Sequence, residues 1–201
     1  MANIKNIIFD YGGVFLTLDE DATYRSFQNL GLFAVTPSLA AANIDFQRGR
    51  ISSGKFISAI KKELPEDVTD QQVKDAWCAM LGTIPRERID LLKILRRKYR
   101  LFLLSNTDDI HIERVNSTVP DVGEFLSLFE KVYYSQDTGY RKPEKEIFEL
   151  VLRENNLKAD ECLFVDDVKE NAEGAGVVGM KYLWLDLSRH TVMDVPRLLD
   201  L

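Results

Sequence analysis

After Pro85, short β-rich apolar runs alternate with stretches of helical spacing, and few architectures accept that pattern. Arg86 to Lys98 puts Ile89, Leu92 and Leu95 on one helical face. LFLLSN then reads as a strand ending in small polar residues, and KVYYS as another. EKEIFELVLREN turns Ile147, Phe148, Val151 and Leu152 inward. CLFVDD is a strand ending in two acids, NAEGAGVVG a helix and KYLWLD a last strand. Near the amino terminus, Ile4 to Asp10 is a further buried strand, ended by Gly12-Gly13. Strands that alternate with helices predict an α/β fold, with a mostly parallel sheet covered on both faces.

From Asp19 to about Leu81 the character is helical, with no convincing strand before Arg86. Phe56, Ile57, Ile60 and Leu64 recur at helical spacing, and so do Val73, Trp77 and Met80 or Leu81, with Thr69 or Asp70 as a cap. This stretch is inserted directly after the first strand, so it is expected to stand over the sheet edge as a lid. Parallel sheets bind ligands at the carboxyl ends of their strands. Asp10, Ser105-Asn106 and Asp166-Asp167 occupy those ends.

Composition narrows the partners. The chain has 201 residues, 45% of them hydrophobic, enough for a proper core. A formal charge of −6 argues against nucleic acid, whose phosphates recruit a basic face. The basic residues Arg96, Arg97, Lys98 and Arg100 end an amphipathic segment, where cations suit the helix dipole. Cys78 and Cys162 lack metal-ligand spacing and fit a reducing cytosol as free thiols. MANIKNIIFDYGG lacks the form of a signal peptide because Asp10 interrupts it, and no run approaches a membrane span. The expectation is a cytoplasmic protein, monomer or homodimer, with a small-molecule partner and neither nucleic acid nor membrane.

Four segments, in order, resemble the haloacid dehalogenase-like hydrolase superfamily: FDYGGV at Phe9–Val14, LLSNT at Leu103–Thr107, GYRKPEKEIF at Gly139–Phe148 and FVDDVKENAEGA at Phe164–Ala175. Each alone has a plain reading. Asp10 could be a turn residue, Gly12-Gly13 a bend, Ser105-Asn106-Thr107 a helix cap, Lys142-Pro143 a loop and Asp166-Asp167 a cap. Together at one sheet edge they point to a site. The resemblance implies a Rossmann-like core over 1–15 and 86–201, with a helical cap domain over 16–85. The first motif is closest to the branch reading Asp-Leu-Gly-Gly/Asn-Val, which is similar to small-metabolite and sugar-phosphate phosphatases.

That resemblance assigns roles which chemistry supports. Phosphate monoesters resist attack because their oxygens are negative, so a site must supply a nucleophile, cancel charge and align the reacting atoms. Asp10 is the expected nucleophile, forming an acyl phosphate. A magnesium ion is expected between it and the ester, held by Asp10, the Gly12 carbonyl, Asp166 and Asp167. Lys142 is expected to neutralise phosphoryl charge. Pro143 is expected to open the next helix at its first turn. Ser105 and Asn106 are expected to cradle phosphoryl oxygens, and Asn171 to steady the acids.

One departure stands out. Most phosphatases of the superfamily carry a second aspartate two positions after the nucleophile, as general acid and base. Here that position is Gly12. Such help is worth about 10²–10⁴-fold, so its loss slows turnover and favours esters with good leaving groups, such as anomeric sugar phosphates or acyl phosphates. Asp19 and Asp21 are read as helix caps or solvated acids, and His111 as a partly exposed helix residue. The alternatives are a metal-independent 2-haloacid dehalogenase, against which the retained Asp166-Asp167 pair argues, and a phosphate-binding pseudoenzyme. Phe46, Arg48, Arg50 and Trp77 are candidates for the leaving-group pocket.

Overall fold

The structure, a computed structural model, describes residues 4–198. Residues 1–3 and 199–201 lie outside the described residues, although the expected core segments and the segment read for a leader include some of them. Five strands form one parallel sheet in the order β3-β2-β1-β4-β5. They are β1 (Asn6–Phe9), β2 (Arg100–Ser105), β3 (Lys131–Tyr134), β4 (Cys162–Asp166) and β5 (Lys181–Trp184). The central strand β1 is buried along its whole length. That explains its apolar run without polar alternation, since helices cover both faces.

Ile7 and Phe9 point into one layer and Ile8 into the other. The first layer takes Ile89 and Leu92 of α5 (Arg86–Leu95), Val115 of α6 (Asp109–Thr118), Phe125 of α7 (Val122–Ser127) and Val195 of α11 (Val195–Leu198). The second takes Ile147, Phe148 and Val151 of α9 (Lys145–Glu154) and Ala175 of α10 (Lys169–Val177). A short α8 (Ser135–Thr138) follows β3. Glu144 is the N-cap of α9, so the helix opens at Lys145 and not at Pro143 as the sequence predicts.

The helical insert contains α1 (Glu20–Asn29), α2 (Pro37–Gln47), α3 (Ser53–Lys61) and α4 (Asp70–Trp77). Each begins at a side-chain cap: Asp19, Thr36, Ser52 and Thr69, the last within a reciprocal capping box. These helices share their own apolar cluster, centred on Phe27, Phe46, Phe56, Ile60 and Val73. The chain enters and leaves the insert as a paired ribbon. Thr17 N–H donates to the Thr83 carbonyl at 2.9 Å, Asp19 N–H donates to the Met80 carbonyl at 2.9 Å, and Leu18 bridges Leu81.

The loop after β1 is tightly held. Gly13 has φ +70°, and a Cβ there would lie 2.2 Å from Asp167 Oδ2. Arg88 of α5 gathers the loop from below: one guanidinium nitrogen donates to the carbonyls of Gly13 at 3.2 Å, Val14 at 2.9 Å and Phe15 at 3.1 Å. Gly13→Ala is therefore expected to lose about 1–2 kcal/mol from the left-handed backbone alone, and more as Asp167 is displaced. Urea denaturation checks this; an unchanged midpoint would show that the loop relaxes freely.

Candidate active site

Parallel register carries the chemistry. Phe9 pairs with Val165, so the next residues, Asp10 and Asp166, leave adjacent strands side by side. Asp10 N–H still donates to the Val165 carbonyl at 2.9 Å, which holds Asp10 at the strand end. Lys142 arrives between α8 and α9 and is only 1% exposed. Its ammonium lies 2.7 Å from Asp10 Oδ1 and 2.6 Å from Asp166 Oδ2, over the Phe164 ring at 5.4 Å. Asp166 Oδ1 accepts from the Val168 N–H at 2.8 Å and from Asn171 Nδ2 at 3.3 Å. Asn171 therefore steadies one acid of the pair.

Asn106 lines the cavity and also fastens a neighbouring loop. Its amide nitrogen donates to the Lys142 carbonyl at 2.9 Å, and its oxygen accepts from the Lys142 N–H at 2.8 Å. The side chain is committed at both ends to the lysine backbone, and so places Lys142. Ser105 is buried at the end of β2 and lines the same cavity as Asp10 and Lys142. The Gly12 carbonyl already accepts from the Val14 N–H at 2.7 Å. A Cβ on Gly12 would meet only the tip of the Leu18 side chain, Cδ1 at 2.9 Å, a flexible end that can turn aside.

Asp10, Asp166 and Asp167 each offer an oxygen, all within 4.8 Å of one another. Burial pushes the Asp10 carboxyl up to about 7; Lys142 opposes this, and the charges of Asp166 and Asp167 add to it. Burial and the neighbouring Asp166 raise Asp167 to about 6. Burial pulls Lys142 down, but Asp10 and Asp166 outweigh it and hold the ammonium above its ordinary value. One ammonium thus faces three carboxylates, all hard oxygen donors at one edge. That donor set and its charge deficit fit a magnesium ion, with Asp10, Asp166 and Asp167 as the residues that would hold it.

A cavity of about 850 Å³ opens between the insert and this edge, with Asp10, Ser105, Lys142 and Asp167 on its wall. Of the four pocket candidates named from sequence, Trp77 lines it. Phe46 instead stacks on Phe56 within the insert, Arg48 pairs with Glu144 and Arg50 with Asp45. Asp19 caps α1 and pairs with Arg25, which matches its plain reading. His111 is partly exposed on α6, as its spacing predicts. It lines the cavity, stacks on Trp77 with centroids 5.0 Å apart, and sits with Nδ1 3.3 Å from Asp108 Oδ2. The tethering role of Arg88 and the fully buried Asp108 escaped sequence reasoning. Asp108 had a legible signal, since it stands where an N-cap of α6 belongs.

The Asp10 shift has a stability consequence. The folded carboxyl keeps its proton to about 7, whereas the unfolded one releases it near 3.8. Between those values the native state binds more protons, so the group's contribution to stability falls as pH rises, and the loss is complete above about 7. In chelator, the Tm of Asp10→Asn minus that of the parent should grow from about pH 5 to about pH 8. Added magnesium should raise the parent's Tm more at the higher pH. A difference that stays flat with pH would contradict the assignment.

A haloacid dehalogenase-like hydrolase family model matches residues 4–179. The chain is 29% identical over 175 residues to a D-ribitol-5-phosphate phosphatase of Bacteroides thetaiotaomicron, covering 84% of this chain and 85% of that one. It is 28% identical over 200 residues to a sesquiterpene phosphatase of Aspergillus oryzae, covering 96% of each. A crystal structure of a Bacteroides thetaiotaomicron enzyme of the family, in complex with magnesium and inorganic phosphate, superposes with a TM-score of 0.83 at 31% identity, over 92% of this chain and 95% of that one. With its five-stranded sheet and clustered acids, the chain belongs to the haloacid dehalogenase-like hydrolases.

Proposed function

We propose that the protein is a magnesium-dependent phosphatase that hydrolyses a small phosphate monoester through an aspartyl phosphate on Asp10. One observation supports this above the rest: Asp10 reaches the cavity beside a buried ammonium and two further carboxylates. An Asp10 oxygen bonds to phosphorus while the ester P–O bond breaks, and its electron pair leaves with the alcohol oxygen. That oxygen takes its proton from water, because position 12 has no carboxyl to give one. Water then attacks the acyl phosphate, which releases inorganic phosphate and restores the carboxylate.

The chain's own residues supply most of the alignment. The Lys142 ammonium stands where phosphoryl charge would arrive, and Asn106 and Asp166 set its place. The Ser105 hydroxyl and nearby backbone N–H groups would face the remaining phosphoryl oxygens. Magnesium, when bound, would supply the charge cancellation that lets an anionic ester approach an anionic nucleophile. The relatives' names pair one core with unlike leaving groups, a polyol and a sesquiterpene. The insert therefore selects the ester, and the sheet edge performs the reaction.

Two other readings make different predictions. A dehalogenase would use Asp10 against carbon without metal, a use the acid cluster does not favour. A phosphate-binding protein without turnover is favoured by Gly12, which leaves no carboxyl where a general acid would stand. Phosphate release from acetyl phosphate and p-nitrophenyl phosphate should require magnesium and vanish in Asp10→Asn. Lys142→Ala should lower kcat by about 10²–10³-fold. Chloride release from 2-haloacids in chelator would replace the proposal with the first alternative, and phosphate binding with no turnover would replace it with the second.

A further inference from the structure

The phosphate end of the cavity is polar, and the remainder is mostly apolar with scattered polar groups. Phe27, Leu39, Phe56 and Ile60, all buried in the insert's apolar cluster, also line the cavity. The same cavity continues to Tyr24, Phe33, Val35 and Ile44, on α1, on α2 and in the loop between them. These four are 58%, 78%, 59% and 38% exposed, an unusual grouping of large apolar side chains open to water. Glu20, Thr23, Gln28, Asn43 and Gln47 are the polar groups on the insert side, spread among a larger number of apolar ones. The Thr23 hydroxyl is occupied by the Trp77 carbonyl and the Met80 N–H, both at 3.2 Å. Asn43 and Gln47, one turn apart on α2, have side-chain oxygens that are buried without a partner.

We infer that this site takes phosphate monoesters of apolar alcohols, alkyl or isoprenoid in kind, whose chain runs from the phosphoryl end along the insert to the Phe33–Val35 rim. At about 850 Å³ the cavity lies toward the upper end of the range for drug-sized ligands. An apolar chain would cover the wall and the exposed rim together. A polyol could bond scattered groups such as Asn43 and Gln47, but it would leave the wall of Phe27, Leu39, Phe56 and Ile60 and the exposed rim without an apolar partner. The inference rests on the phosphatase reading for its chemistry, ester plus water giving alcohol plus inorganic phosphate, and on the cavity for its substrate class.

The test is a homologous series of n-alkyl monophosphates, ethyl to decyl, assayed with magnesium beside ribitol 5-phosphate and acetyl phosphate. kcat/KM is expected to rise about threefold to fourfold per methylene while the chain stays on the wall. The paired substitution Phe33→Asp with Val35→Asp, at exposed positions that should leave folding intact, is expected to lower the decyl-to-acetyl selectivity ratio about tenfold. A flat series, an unmoved ratio or a preference for ribitol 5-phosphate overturns the inference while leaving the phosphatase reading in place. If no ester is turned over, acetyl phosphate included, the phosphatase reading fails. Calorimetric binding of the same alkyl phosphates to Asp10→Asn then decides the pocket: affinity that grows with chain length upholds an apolar-chain site, and affinity independent of length removes it.

Discussion

The Lys142 ammonium, enclosed between Asp10 and Asp166, is the contact on which the site depends. Register in the parallel sheet creates the need for it: β1 and β4 end side by side, and each leaves an aspartate at the same edge. Two buried carboxylates so close repel each other unless a cation or a proton intervenes. A buried ion pair adds little net stability, but removing one partner strands the other's charge and is strongly destabilising. The loop before α9 is therefore drawn onto the sheet edge, and Asn106 fastens its backbone with two hydrogen bonds. Lys142 brings one positive charge to three carboxylates, and the remaining deficit is what makes the edge suitable for a divalent ion.

The two glycines after Asp10 answer to different neighbours. Gly13 is required by its positive φ and by Asp167, whose carboxylate occupies the space of a Cβ. At Gly12 the neighbour is Leu18, which pairs with Leu81 where the chain enters and leaves the insert. That pairing is a backbone bridge, so it is independent of where the Leu18 side chain turns. On the proposed reading, a site without a carboxyl at position 12 would depend more on charge cancellation and positioning than on proton transfer, which is consistent with the contacts that hold Lys142 in place.

Much of this was legible because it rests on local pattern. Alternating apolar runs marked the strands, and the polar residues at their ends marked the edge where Asp10, Ser105 and Asp166 meet. Thr69 was readable as a cap because its side chain acts within one helical turn. What escaped notice is long in sequence separation. Arg88 looks like any charged residue on a helix, yet it ties down three carbonyls more than seventy residues earlier. Asn106 sits in a motif that implies ligand contact, but its partner is the backbone of a loop that only the fold brings near. Phe46 and Arg48 are adjacent to the lining residue Gln47, but on a helix adjacent residues face different ways, and spacing alone cannot say which face meets the cavity.

The insert is fastened on two flanks, and this bears on how the cavity is reached. On one side Trp77 Nε1 donates to the buried Asp108 at 3.1 Å, His111 Nε2 lies 3.0 Å from the Trp77 carbonyl, and Asp75 pairs with Arg114. On the other, the Ser135 hydroxyl donates to the Gln47 carbonyl at 2.6 Å, and Arg48 pairs with Glu144. Lifting the insert would take from the fully buried Asp108 its Trp77 donor and from the fully buried Ser135 its Gln47 acceptor, leaving each with its partners in the core, His111 and Thr107. The side without such a fastening, among the described residues, is the loop between α1 and α2, where Phe33 and Val35 stand exposed at the cavity rim. Access by that route would leave the carboxylates and Lys142 undisturbed, and on the proposed reading it would keep selection of the leaving group separate from the edge that holds Asp10.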